Sequence, residues 1–201
     1  MKTVNVSLVG VGGQGIILTA DILAKAAALA GYDVKKSEIH GMAQRGGSVT
    51  SHVRIGENVF SPLIPLGCAD MILAFEPAEA VRNAPYLRQG GILIVNRAAV
   101  RPVTESLHPT GYDGTEMLAW LQNRCGCLLV DGEEACRPFG SAKFLNIILL
   151  GAAAGSGHLG IGREALLGRM EKLIPARYLE PNRSAFEAGY RIGQAAESAE
   201  K

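Results

Sequence analysis

Hydrophobic and polar residues follow two patterns along the chain, and each pattern predicts one kind of element. Short apolar or β-branched runs bounded by glycine or polar residues predict strands at residues 4–9, 33–39, 71–75, 92–95 and 128–130. Apolar residues at helical spacing predict helices at residues 14–30, after Pro77, and at 115–124, 141–154, 162–173 and 182–200. Strands that alternate with helices are typical of α/β proteins. We predict a Rossmann-like open, mostly parallel sheet with helices on both faces.

The segment 49–55 shows a different pattern, because an apolar residue or serine alternates with a larger polar residue. This alternation predicts a strand with one buried face and one face that is wet or in contact with a partner. At the helix ends we expect Thr115 and Ser141 to act as N-caps. Pro175 and Pro181 predict a loop before the last helix.

A glycine-rich turn follows the first predicted strand and opens the first predicted helix. Residues 10–15 read Gly-Val-Gly-Gly-Gln-Gly, which has the spacing G-x-G-x-x-G. Glycines in this context permit a tight turn and a close backbone approach, while free amides at a helix N-terminus can hold a phosphate. The candidate binding residues are therefore Gly10, Gly12, Gly13, Gln14 and Gly15. In a dinucleotide site Glu38 would hold a ribose. A turn packed against a partner protein is the alternative, and the spacing alone does not decide between them.

A second unusual loop follows the second predicted strand. Residues 38–48 read Glu-Ile-His-Gly-Met-Ala-Gln-Arg-Gly-Gly-Ser. Arginine supplies a permanent positive charge, and adjacent glycines can adopt positive φ angles that direct successive amides toward an anion. The segment predicts contact with a phosphate, a carboxylate or a partner, and a surface turn with a solvated arginine is the alternative. Its candidate residues are His40, Arg45, Gly46, Gly47 and Ser48.

Composition narrows the classes of function. The 201 residues include 20 Lys and Arg against 19 Asp and Glu, so the net charge of +1 gives no general attraction to nucleic acid or to an anionic membrane. No apolar stretch approaches the ~20 residues of a membrane span, and the apolar run at the N-terminus is too short for a secretory signal. A cytoplasmic protein is expected. No repeat or linker marks a boundary, so residues 1–201 are expected to form a single domain.

Cysteine and glycine usage also limits the chemistry. The 4 cysteines lack the spacing of a disulfide scaffold, a zinc site or an iron–sulfur cluster, and no metal is expected on this chain. The 25 glycines make up a larger share of the 201 residues than the usual ~7%. Several lie in the two loops described above. Gly151 and Gly155 stand four apart in an apolar segment, where they allow another element to approach closely, in the core or at a subunit interface.

The two loops and their separation resemble a known family. Gly-Val-Gly-Gly-Gln-Gly-Ile at 10–16 is followed by Glu-Ile-His-Gly-Met-Ala-Gln-Arg-Gly-Gly-Ser-Val at 38–49, Ser-Pro-Leu-Ile at 61–64 and Phe-Glu-Pro at 75–77. Together these motifs are similar to the gamma-type subunits of the 2-oxoacid:ferredoxin oxidoreductases. Within that group, the second motif is most similar to the beta subunit of the indolepyruvate members. The resemblance extends more weakly through Asn96 and the segment 144–151, so it covers most of the chain.

The resemblance implies a reaction and a division of labour. Enzymes of this family oxidatively decarboxylate a 2-oxoacid with thiamine diphosphate, pass electrons through iron–sulfur clusters to ferredoxin, and produce an acyl-CoA. The gamma-type piece is a Rossmann-like layer that packs on the thiamine-binding subunit. The resemblance implies that this chain is an oxidoreductase subunit, inactive alone, in a heteromeric complex. The partner would hold thiamine diphosphate, Mg²⁺ and the clusters, while this chain would bind no cofactor tightly and supply no identified catalytic residue. The indolepyruvate-like loop favours an arylpyruvate substrate.

Under this hypothesis both glycine loops lie near the shared active site, where a phosphate of coenzyme A or the cofactor pocket of the partner meets them. Both loops follow predicted parallel strands, and ligands of open α/β sheets bind at the carboxyl ends of such strands. Glu38 would then brace the second loop. Two alternatives stay open from the residues alone, namely a stand-alone NAD(P)-dependent dehydrogenase that uses the glycine turn and a nucleotide-binding module without enzymatic activity.

Overall fold

The structure of the protein, a computed structural model, describes residues 2–41, 46–101 and 111–199. Its strands are β1 Val4–Val11, β2 Asp33–His40, β3 Ser48–Gly56, β4 Ala69–Ala74, β5 Leu87–Asn96 and β6 Cys127–Val130. Its helices are α1 Ile16–Leu29, α2 Pro77–Asn83, α3 Thr115–Arg124, α4 Gly132–Cys136, α5 Leu145–Gly155, α6 Arg163–Leu173 and α7 Ala176–Ala199. Short 3₁₀ turns lie at Ala84–Tyr86, Arg137–Phe139 and Ala142–Phe144. The predicted α/β class is confirmed.

The six strands form one sheet in the order β2-β3-β1-β4-β5-β6. The strands β1, β4, β5 and β6 pair in parallel, whereas β3 runs antiparallel to both β1 and β2. The sheet is therefore mostly parallel, as predicted, and its reversed strand arises because β2 and β3 form a hairpin. Since β3 lies between β1 and β2, the carboxyl end of β2 is two strand spacings, ~9.5 Å, from that of β1.

Helices cover both faces of this sheet. Val6 and Leu8 of β1 point to the face that packs against α1, α5, α6 and α7. Val9 points to the opposite face, which packs against α2 and α3, because successive side chains of a strand alternate between faces. Within the described part of the chain, no single helix is long and apolar enough to cross a membrane. The helical segments Gly132–Phe139 and Ala142–Gly155 reach that length only together, and they are bent by 112°.

The helices α5 and α7 pack with their backbones in contact. Glycines four residues apart face the contact on both helices, Gly151 and Gly155 on α5, and Gly189 and Gly193 on α7. A Cβ placed on Gly189 would lie 1.9 Å from the carbonyl oxygen of Ile148, a distance far below any van der Waals contact. The close approach expected at Gly151 and Gly155 therefore occurs inside the core of this chain.

Of the two N-caps predicted from the sequence, one is confirmed and the other is wrong. Ser141 caps the turn before α5 as predicted, because its Oγ accepts a hydrogen bond from the N–H of Lys143 at 3.3 Å. The prediction that Thr115 caps α3 is wrong. Thr115 is the first residue of that helix, and Gly114, with a φ of 83°, occupies the cap position.

The prediction of a loop between Pro175 and Pro181 is also wrong. The helix α7 begins at Ala176 and contains Pro181. A proline lacks the N–H that would bond to the carbonyl four residues earlier, but near the N-terminus of a long helix this removes a single early hydrogen bond. In the same turn the side chain of Asn182 donates to the carbonyl of Tyr178 at 2.7 Å.

The prediction of a wet face on β3 is wrong at its centre. His52 is only 4% exposed, its Nδ1 accepts a hydrogen bond from the N–H of Ile64 at 3.2 Å, and its ring meets the edge of Tyr86. The segment that follows β3 therefore folds back over the strand. Burial, with a smaller contribution from the charge of Arg54, lowers the pKa of His52.

Candidate functional site

The carboxyl ends of β1, β4, β5 and β6 lie side by side, and side-chain amides join them. Oε1 of Gln14 accepts from the N–H of Val11 at 2.8 Å, and its Nε2 donates to the carbonyl of Phe75 at 3.0 Å. Nδ2 of Asn96 donates to the same carbonyl at 3.1 Å, and its Oδ1 accepts from the N–H of Gly132 at 3.2 Å. Two side chains thus connect four strand ends into one continuous edge.

The glycine turn at this edge has the geometry that the sequence predicted. Gly13 and Gly15 have φ angles of 102° and 83°, which residues with side chains rarely adopt. A Cβ on Gly10 would lie 2.8 Å from the Cβ of Phe75, an atom that cannot move without the backbone, so packing also requires glycine there. No side chain caps α1, and no acidic residue lies in its first turn. Because no carbonyl of a described residue accepts from Gly13 or Gly15, the turn presents free N–H groups at the positive end of the helix dipole.

The second glycine loop lies directly against the first. The N–H of Gly12 donates to the carbonyl of Gly47 at 2.8 Å, and the N–H of Gly46 donates to the carbonyl of Gly12 at 3.4 Å. The structure therefore brings the glycine turn together with Gly46, Gly47 and the following Ser48, as the sequence predicted. Arg45 lies outside the described residues.

A cavity of about 540 Å³ lies where the two loops meet, and we call it the His40 cavity. It is lined by Val11, Gly12, Gly13, Gly15, Ile16, Ile17, His40, Gly41 and Val49. Its volume falls in the range of small-molecule sites. Its polar groups are backbone amides and one imidazole, and Nε2 of His40 lies 3.3 Å from Oε2 of Glu38. This contact orients the ring and fits the bracing role that the resemblance implied for Glu38.

The arrangement around Glu38 does not fit a dinucleotide site. In such a site the acidic residue ends the strand next to the glycine turn, where it reaches a ribose. Here β3 separates β2 from β1, and the carboxylate of Glu38 pairs with Lys36 at 2.5 Å as well as with His40. Lys36 also contacts Asp21 of α1. Glu38 therefore belongs to an ion-pair network along β2, and its carboxylate is engaged by side chains of this chain.

Two buried carboxylates that the sequence reasoning missed support the second loop. Glu76 and Glu79 are 2% and 3% exposed. Oε2 of Glu79 accepts from Oγ of Ser48 at 2.7 Å, and Oε2 of Glu76 caps α2 by accepting from the N–H of Glu79 at 3.0 Å. The hydroxyl of Tyr112 donates to Glu76, and burial together with this carboxylate raises the pKa of Tyr112. The available signal was Phe-Glu-Pro at 75–77, because a polar residue before a proline marks a helix start.

A second cavity, also of about 540 Å³, lies on the other side of the glycine turn. Its wall is formed by the turn and the start of α1, the end of β5, the helix α4 and the residues 142–146. We call it the Asn146 cavity, because Asn146 lines it while being only 6% exposed. This cavity was not predicted, since its residues come from four separate segments and only the glycine turn among them forms a recognisable motif.

The described residues offer little for metal or thiol chemistry. No three His, Cys, Asp or Glu side chains among them come together as metal ligands. Cys68, Cys125, Cys127 and Cys136 are free thiols. Burial, with a contribution from Cys125, raises the pKa of Cys127 to about 12, which disfavours the reactive thiolate.

Fold and site together define a class of protein. It is a Rossmann-like α/β subunit whose glycine turn faces a hairpin loop, in the place where a dinucleotide-binding protein has a parallel strand. A family model described as pyruvate ferredoxin/flavodoxin oxidoreductase matches residues 5–192, and the chain belongs to this family.

Individual relatives agree with this assignment. The indolepyruvate oxidoreductase subunit IorB of Methanothermobacter thermautotrophicus is 40% identical over 196 residues, which cover 96% of this chain and 98% of the relative. The gamma subunit of a keto/oxoacid ferredoxin oxidoreductase from Geobacter sulfurreducens has the same fold, with a TM-score of 0.71 at 24% identity over 96% of this chain and 99% of that one. A 2-oxoglutarate:ferredoxin oxidoreductase from Magnetococcus marinus, solved with 2-oxoglutarate, coenzyme A and succinyl-CoA bound, gives a TM-score of 0.75 at 20% identity. That match covers 97% of this chain and 32% of the larger one.

Proposed function

We propose that this chain is the gamma-type subunit of an indolepyruvate:ferredoxin oxidoreductase. The complex would oxidatively decarboxylate an arylpyruvate to an acyl-CoA and reduce ferredoxin. The observation that carries the proposal is the 40% identity to an indolepyruvate oxidoreductase subunit along nearly the whole of both chains. We further propose that residues 1–201 form one domain, which is supported by the single sheet and by the family match over residues 5–192.

The proposal assigns the cofactors to the partner subunit. That subunit would bind thiamine diphosphate, Mg²⁺ and the iron–sulfur clusters, and this chain would be inactive without it. The donor sets support this division, because the described residues contain no group of metal-ligating side chains and the thiols are scattered over separate elements. Free thiols also fit a cytoplasmic location, where the compartment is reducing.

Within the complex, we assign ligand or partner contact to the two glycine loops. Gly10 and Gln14 shape the turn, and the N–H of Gly12 joins it to Gly47, while Gly13 and Gly15 would offer amides toward the shared active site. From the second loop, His40 and the segment 45–48 would complete the surface. The hydrogen bonds between the loops and the His40 cavity support this assignment. A phosphate of coenzyme A and the cofactor pocket of the partner are the two candidates for what meets them.

Co-expression tests the proposed complex. The tagged chain is produced together with the thiamine-binding subunit from the same genome, purified, and assayed for reduction of ferredoxin with indolepyruvate, 2-oxoglutarate or pyruvate. We expect a stable complex with the highest kcat/KM for indolepyruvate and no activity from the chain alone. A complex that prefers 2-oxoglutarate would refute the proposed arylpyruvate substrate, and failure to form a complex would refute the proposed subunit role.

Replacement of Arg45 by Ala tests the ligand contact. If the second loop meets coenzyme A or the oxoacid, the KM for one of them should rise in the reconstituted complex. Arg124→Ala is a matched control, because Arg124 lies at the end of α3 and away from both loops. If the wild type and Arg45→Ala have equal KM values for both substrates, ligand contact by the second loop is refuted, and contact with the partner is left as the interpretation.

The alternative of a stand-alone dehydrogenase makes a different prediction. NAD(H) would then raise the melting temperature of the isolated chain, whereas coenzyme A would not. The position of β3 between Glu38 and the glycine turn argues against such binding. Differential scanning fluorimetry with each compound at millimolar concentration separates the two functions.

A further inference from the structure

We propose that Glu79 is a positioning residue for the reaction, because its buried carboxylate holds Ser48 and thereby fixes the second glycine loop at the wall of the His40 cavity. The inference rests on the proposed function, in which this loop meets coenzyme A or the oxoacid. It adds a residue that lies on a separate element, the helix α2, and that is not among the residues lining the His40 cavity.

The side chain of Ser48 is directed toward α2 by the register of the sheet. Ser48 begins β3 and pairs with Val11 of β1, which lies on the same face as Val9, because alternate residues of a strand share a face. That face packs against α2 and α3. Oγ of Ser48 therefore reaches past the end of β1 and donates to Oε2 of Glu79 at 2.7 Å. The bond joins β3 to a helix that follows β4, two strands away in the sheet.

The backbone around Ser48 connects two walls of the His40 cavity. The carbonyl of Ser48 accepts from the N–H of Gly41 at 2.9 Å, and the carbonyl of the preceding Gly47 accepts from the N–H of Gly12 at 2.8 Å. Gly41 and Gly12 both line the cavity. A displacement of Ser48 would therefore move one wall directly and the other through Gly47, so the bond to Glu79 sets the positions of both.

Glu79 has a fixed position relative to the sheet. Oε2 of Glu76 accepts from the N–H of Glu79 at 3.0 Å, and the hydroxyl of Tyr112 donates to the other oxygen of Glu76. Glu76 directly follows Phe75, whose carbonyl oxygen receives the two side-chain amides that join the strand ends. The start of α2 is thus held at the edge of the sheet, and the carboxylate of Glu79 is a rigid anchor for the loop.

The burial of this carboxylate indicates a specific role. Glu79 is 3% exposed, and a buried charge is destabilising unless it is paired and hydrogen-bonded. A glutamate at the third position of a helix commonly bonds back to the N–H of the cap residue. In Glu79 one oxygen contacts Nη1 of Arg82 and the other accepts from Ser48. Because well-packed apolar residues can replace buried ion pairs without loss of stability, packing alone does not require a charge here, and we assign it to holding the loop.

The variants Ser48→Val and Ser48→Thr in the reconstituted complex test the inference. The two new side chains have nearly the same shape, but only threonine keeps the hydroxyl that bonds to Glu79. For the substrate whose KM rises in Arg45→Ala, Ser48→Val should raise the KM about tenfold, roughly the contribution of one hydrogen bond. Ser48→Thr should restore a KM within about twofold of the wild type, and kcat should change by less than about twofold in both, because the loop acts on binding.

Two further variants separate positioning from stability. Glu79→Gln keeps the size of the side chain and removes its charge, so it should raise the same KM, and combining it with Ser48→Val should add little, since both changes remove one contact. Ser156→Ala is the matched control. It removes another buried hydroxyl, which donates to the carbonyl of Ala153 at 2.8 Å at the C-terminal end of α5. The control should lower the melting temperature and leave both KM values unchanged.

The outcomes distinguish this inference from the proposed function. If Arg45→Ala raises a KM and Ser48→Val lowers only the melting temperature, the contact with Glu79 is merely structural and the inference is overturned. Equal KM values in Ser48→Val and Ser48→Thr would overturn it too, because the hydroxyl would then not be responsible. If neither Arg45→Ala nor Ser48→Val changes a KM, the ligand contact of the proposed function fails, and the inference fails with it.

Discussion

Replacement of Gly189 by Ala is the sharpest test of how the core is built. The glycine lies where α7 crosses α5, and an added Cβ would lie 1.9 Å from the carbonyl oxygen and 2.7 Å from the carbonyl carbon of Ile148. Both atoms belong to the backbone of a buried helix, so no flexible side chain can move aside. The two helices must separate, and the separation loosens the packing of the buried residues around the contact, including Phe186.

The expected magnitude follows from two opposing effects. Over-packing of a tight core costs ~1–3 kcal/mol, and a backbone obstacle places Gly189→Ala at the upper end of that range. Alanine is the better helix former by ~1 kcal/mol, which offsets part of the loss. We therefore expect the free energy of unfolding to fall by about 2 kcal/mol. For a chain of this size the midpoint of thermal unfolding should fall by roughly 4–8 °C.

Urea and thermal unfolding followed by circular dichroism measure this change, and Gly168→Ala is the matched control. Gly168 lies in the exposed face of α6, and an added Cβ there meets nothing within 4 Å. The same substitution should raise stability at Gly168 by ~0.5–1 kcal/mol. If Gly189→Ala were as stable as Gly168→Ala, the close packing of the α5 and α7 backbones described above would be refuted.

Other perturbations give further checks. Gly15→Ala forces a side chain into a φ of 83° and places its Cβ 2.8 Å from Nδ2 of Asn146, so the free energy of unfolding measured in urea should fall by ~1–3 kcal/mol; an unchanged free energy of unfolding would contradict the turn geometry. Burial and the charge of Arg54 lower the pKa of His52 below its ordinary 6.5. The unfolded chain then binds the proton more readily, and the free energy of unfolding, fully present above pH 6.5, should fall on acidification by up to ~1.4 kcal/mol per pH unit. His52→Gln should remove that part of the slope between pH 7.5 and 5.5, and equal slopes would show that His52 is not the group responsible. Cys127, with its pKa raised to about 12, should react slowly with iodoacetamide at pH 8 and rapidly in urea, as read by mass spectrometry; equal rates would place the thiol at the surface.

Local patterns in the sequence were sufficient for most of the fold. The apolar runs of the parallel strands and the turn between β1 and α1 depend on neighbours within a few residues, and these features appear where they were predicted. The reversed strand was not predicted, because the direction of β3 follows from the hairpin with β2, and alternation of polar and apolar residues does not encode direction. The wet face expected on β3 failed at His52 because the burial of that ring depends on a later segment of the chain.

The candidate site was predictable only in part for the same reason. Glycine spacing located the turn, and the two loops were expected at one edge. The supports of that edge connect residues far apart in sequence, such as Ser48 with Glu79, which are 31 positions apart. The placement of Asn146 against Gly15 is likewise a long-range contact between two helices. Such pairs leave no local signal, since each residue alone is compatible with an exposed position.

The carbonyl oxygen of Phe75 receives hydrogen bonds from both Gln14 and Asn96, and this shared acceptor has a consequence for assembly. The ends of four strands are fixed to each other before any partner arrives. The conformational entropy of ordering this surface is therefore lost during folding of the subunit, and association does not have to supply it. A partner should meet a preorganised surface, and complex formation should proceed with little rearrangement of the turn.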